Sequence, residues 1–86
     1  MTEDLLAERG RTHGAYAEHA RIVQLTKRLW QDQRGWSGLS EHQRETLDMI
    51  AHKVGRILAG DPNHQDHWDD IAGYAALSSR EIGRYK

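Results

Sequence analysis

Between Leu47 and Leu77 the chain reads LDMIAHKVGRILAGDPNHQDHWDDIAGYAAL, two helix-patterned segments hinged at its only proline. Leu47, Ile50, Ala51, Val54, Ile57 and Leu58 recur at 3.6-residue spacing, which predicts an amphipathic helix over about 41–59. Ser40 is placed to cap it, with Gln43 completing a capping box, and Gly60 to stop it. The last helix spans about 63–83, opened by Asp61, Pro62 or Asn63. Trp68, Ile71, Ala72, Ala75, Ser79 and Ile82 form its expected inward stripe.

Upstream, Tyr16, Ala20, Val23 and Trp30, flanked by Ile22 and Leu29, predict a helix over about 15–32. A short helix over about 3–9 precedes it, and Gly10 to Gly14 reads as a loop. No phenylalanine and no alternating β-branched run is present, so strand signals are nearly absent. Residues 1–86 therefore read as a single all-α domain, three main helices in a small bundle. Such a bundle has a thin core, and Leu25, Met49, Tyr74 and Leu77 fall outside its main stripes. Leftover apolar residues of this kind point to completion by homodimerisation.

Twelve Lys and Arg stand against 13 Asp and Glu, for a net charge of −1, and the basic residues are scattered. That balance argues against a phosphate-neutralising nucleic-acid binder. The apolar stretches fall far short of the roughly 20 residues that span a bilayer. The first residues carry acids where a secretory signal needs a basic end. With no cysteine, a cytoplasmic protein is expected.

Glu45, Asp48 and His52 share one side of the 41–59 helix, and Asp66 and Asp70 share one side of the next. Carboxylates on two neighbouring helices are one way to hold a hard divalent cation. Glu45, Asp48, Asp66 and Asp70 are therefore the candidate ligands for Mg²⁺ or Mn²⁺, with Lys53 and Arg56 left to meet phosphate. An ordinary solvated helix surface has the same appearance. His52 lies one turn from Asp48 and His13 lies in the glycine-flanked segment, so both are further site candidates. His64, Asp66 and His67 lack a clear fourth ligand for zinc. Gly55 and Gly73, inside helices, suggest close approach by a neighbour. Neither a serine elbow nor a P-loop is present.

The segments ERGRTHGAYAEHARI, QRETLDMIAHKVGRILAGDPN and DHWDDIAGYAAL resemble a small phage and prophage family of unassigned activity. That family is similar, more distantly, to the all-α MazG-like nucleoside triphosphate pyrophosphohydrolases. The resemblance implies Mg²⁺ held by acids from two helices and cleavage of nucleoside triphosphates to monophosphate and pyrophosphate. Glu45 and Asp48 would stand for the first acidic pair and Asp70 for the last acid. His67 occupies the position where the second pair would have glutamate. A metal-dependent nucleotide-binding or hydrolysing protein is one expectation; a non-catalytic helical module that binds a host or phage protein is the other.

Overall fold

The computed structural model describes residues 2–84. Within them the chain is all-helical: α1 (Glu3–His13), α2 (Tyr16–Gln31), α3 (Glu41–Ala59) and α4 (Gln65–Gly83), with one 3₁₀ turn at Trp36–Gly38. The expected three main helices are thus joined by a fourth of substance. α1 does not end near residue 9: it runs through Gly10 to His13, and the expected 10–14 loop shrinks to its last residue. No helix among the described residues is long and apolar enough to cross a membrane.

Local sequence explains most helix ends. The Thr2 hydroxyl accepts from Leu5 N at 3.3 Å and caps α1. The predicted capping box is present on α3, where Gln43 N donates to Ser40 Oγ and Ser40 N donates to Gln43 Oε1. Gly60 ends α3, its N–H bonding Arg56 O. At α4 the cap is His64, without a side-chain bond. Asp61 serves the loop instead, accepting from Asn63 N at 2.9 Å.

α3 is the hub. α2 packs along one side of it and α4 along another, and α1 lies across α2 and α3. Among the apolar side chains of the described residues only Val23, Ala51 and Ile57 are buried; His19 and His67 are buried beside them. The expected inward stripe of α4 is rotated by about one residue. His67, Ile71, Tyr74, Ser78 and Glu81 are its more buried positions, whereas Trp68, Ala72, Ala75, Ser79 and Ile82 are exposed. Polar contacts set this rotation. Ser78 Oγ meets His42 Nδ1 at 2.9 Å and Thr46 Oγ1 at 2.7 Å, and Lys53 Nζ meets Asp70 Oδ2 at 2.8 Å. Tyr16, on the expected apolar face of α2, is 81% exposed.

The end of α1 is tied down by backbone. Thr12 O accepts from Asp61 N at 3.2 Å and from His67 Nε2 at 3.1 Å. Gly14, at φ 78°, turns the chain against the end of α3, where a Cβ would come 1.9 Å from Ala59 O. Only glycine accommodates both that dihedral and that approach.

Candidate functional site

The crossing of α1 over α2 and α3 leaves a cleft of about 460 Å³. α1 contributes Arg9 and His13, α2 contributes Tyr16 and His19, and α3 contributes His52 and Arg56. No aspartate or glutamate is among the lining residues. His52 and Arg56 sit one turn apart on α3, so both point to one side of that helix.

Two histidine pairs organise the site. His19 Nε2 lies 3.2 Å from His52 Nδ1, with the rings perpendicular. His13 Nδ1 lies 3.4 Å from His67 Nε2. Thr12 O can only accept, so His67 carries its proton on Nε2 and donates it there. His13 Nδ1 then presents a lone pair to the same proton, and a neutral His13 holds its own proton on Nε2. Burial first, then the Arg56 charge, lowers the pKa of His13 below the ordinary 6.5. The same two causes push His52 down to about 4. His19 is lowered chiefly by burial, opposed by the Gly55 backbone. The three rings lining the cleft are therefore neutral at pH 7, and its formal charge comes from Arg9 and Arg56. Among the described residues no carboxylate pairs with Arg56.

The four candidate cation ligands are dispersed. Asp48 Oδ1 lies 3.5 Å from Lys27 Nζ, between α3 and α2. Asp70 is paired with Lys53, on the α3–α4 side, which holds its carboxyl below the usual carboxylate range. Asp66 is 3.9 Å from His64 Nε2 at the solvent-exposed start of α4. Glu45 is exposed and lines a separate hollow with His42, Tyr74 and Glu81. Among the described residues no group of three or more His, Asp or Glu is disposed to hold a metal ion. The two candidate phosphate ligands also part company: Arg56 lines the cleft, and Lys53 is engaged by Asp70.

His13 and His52, singled out in the sequence, do come to this cleft. Arg9, Tyr16 and His19 were not expected there. The signal for His19 was its place on the apolar face of α2, one turn before Val23, opposite a helix carrying a glycine. Gly55 supplies the room, for a Cβ there would fall 2.6 Å from Val23 Cγ2 and 2.8 Å from His19 Nδ1.

A family model described as "Domain of unknown function (DUF6378)" matches residues 2–82, and the chain belongs to that family. The match assigns no activity, and nothing in it links the chain to phage proteins or to MazG-like enzymes. No curated protein and no solved structure matches the chain.

Proposed function

We propose that this member of the DUF6378 family binds a nucleoside phosphate in the cleft between α1, α2 and α3. The observation that carries the reading is the lining itself: two arginines, three neutral histidines and no carboxylate. A guanidinium recognises phosphate oxygens with directional paired donors. Neutral imidazoles add donors and acceptors without repelling one another, which three charged rings so close together would do. The cleft volume falls within the range of small-molecule sites. The exposed Tyr16 ring at its edge, with Leu6 on α1, offers an aromatic and apolar surface for a base.

This reading keeps the nucleotide expected from sequence and keeps Arg56, His13 and His52 as its ligands. It moves the site away from Glu45, Asp48, Asp66 and Asp70, whose separate ion pairs and exposure favour ordinary surface roles. Any Mg²⁺ would then arrive on the phosphates of the ligand, and the reading assigns no hydrolysis.

The test is a thermal-shift and calorimetric titration with nucleoside mono-, di- and triphosphates, unphosphorylated nucleosides and inorganic phosphate, each with and without Mg²⁺. A ligand that binds only the folded chain raises its melting temperature. Nucleotides are expected to do so and nucleosides not, with Arg56→Ala abolishing the shift. No shift with any nucleotide, or one that Arg56→Ala leaves intact, rejects the reading.

A further inference from the structure

Part of the α3 apolar stripe stays uncovered, although Ala51 and Ile57 of that stripe are buried in the core. At about 100° per residue, Leu47, Ile50, Val54 and Leu58 share an arc of about 80° on α3. Leu58 is 64% exposed and the other three are only partly covered. The reason is architectural: α2 and α4 both pack on α3, yet they do not pack on each other. On α4, Trp68, Ala72, Ala75, Ser79 and Ile82 lie within a similar arc at 4-3-4-3 spacing, all of them exposed.

These two stripes are neighbours. The Lys53–Asp70 pair and the hollow of Glu45, Tyr74 and Leu77 occupy the other edge of the α3–α4 contact. That arrangement turns the apolar arcs of both helices to the same side. Neither arc contains a charged residue; Asp66, Asp69, Asp70, Arg80 and Glu81 all project elsewhere on α4.

We infer that this α3–α4 face is the interface of a homodimer, covered by the same face of a second copy. Surface area argues for it. A compact monomer of this mass exposes about 5,200 Å², whereas this chain exposes 6327 Å². Its radius of gyration is 14.8 Å against about 12 Å for a compact chain of this length. The excess of about 1,100 Å² is summed over the whole chain and is comparable to the roughly 800 Å² that each partner contributes to a standard stable interface; Leu58, Trp68 and Ile82 place exposed apolar area on this face. A second copy also fits the charge pattern, because a neutral apolar face complements itself around a two-fold axis. The small side chains of Ala72, Ala75 and Ser79 between Trp68 and Ile82 allow close helix approach across that axis.

Light scattering coupled to size exclusion, near 50 µM protein, tests the inference on the full chain. The expected mass is twice the 9.9 kDa of one chain. Ala75→Glu and Leu58→Glu, both at exposed positions, are expected to halve it, while Leu77→Glu, at the other edge of α4, leaves it doubled. Should the glutamate variants lose helicity, the wild-type melting temperature decides: it rises with protein concentration for a dimer. A wild-type monomer with a concentration-independent melting temperature overturns the inference. So does a dimer that Leu77→Glu splits and Ala75→Glu does not, or a doubled mass appearing only when another protein is added.

Discussion

The His19 ring, 95% shielded from solvent, places Nε2 3.2 Å from Nδ1 of His52 and couples α2 to α3 through two imidazoles. One nitrogen must donate and the other accept, so protonating both rings replaces a hydrogen bond with a like-charge contact. Folding therefore favours the neutral pair. The His52 pKa falls from 6.5 to about 4 on folding, so between those values the unfolded chain binds more protons. The stabilisation is complete above about pH 6.5 and is lost as pH falls toward 4. Discounted for partial exposure, it is on the order of 2 kcal/mol. Denaturant midpoints measured from pH 7.5 to 4 should fall along this limb, and His52→Gln should flatten it.

A second and lower limb belongs to Asp70. Its carboxyl is depressed by the hydrogen bond and charge of Lys53, so its contribution is present above the ordinary carboxylate value and lost as pH falls below it. Asp70→Asn should remove this small contribution at neutral pH, abolish the limb below about pH 4, where it converges on the protonated wild type, and leave the histidine limb unchanged. Because the pair is solvent-exposed on its acidic side, Lys53→Met at pH 7 should change the melting temperature little. It should also leave nucleotide binding intact, in contrast to Arg56→Ala.

Gly55 and Gly73 should respond oppositely to alanine. At Gly55 the new Cβ would meet Val23 Cγ2 at 2.6 Å and His19 Nδ1 at 2.8 Å, so α2 must retreat. Overpacking of this kind costs about 1–3 kcal/mol, which outweighs the gain in helix propensity. At Gly73 nothing lies within 4 Å, and alanine should stabilise by up to about 1 kcal/mol. Urea unfolding of the two variants gives both signs directly.

Gly14→Ala should be the most damaging single change at the cleft. The positive φ and the Ala59 carbonyl at 1.9 Å from the added Cβ act together, at about 3 kcal/mol or more. Relief requires α1 to lift from the end of α3, which removes Arg9 and His13 from the site. Chemical shifts of His13 and His67 should move together in this variant, while those of His42, at the far end of α3, stay in place.

Helix propensity, capping chemistry and glycine stops are local properties, and they were legible in the residues. The Ser40–Gln43 box, the Gly60 stop and the extents of α2 and α3 follow from interactions between residues no more than four apart. The residues also announced His13, His52 and Arg56 as chemically interesting. What they could not announce was which side of each helix finds a partner. An amphipathic pattern specifies an apolar arc, but packing is decided by the sum of contacts that only the assembled chain makes. On α4, Ser78 with His42 and Asp70 with Lys53 turned the helix so that its apolar arc faces outward. At α1, Gly10 tolerated a helix because nothing crowds it, while Gly14 became the turn because the end of α3 lies against it. The cleft exists for that last reason: residues 9–19 and 52–56, distant in sequence, share a wall only after two glycine-lined backbones cross.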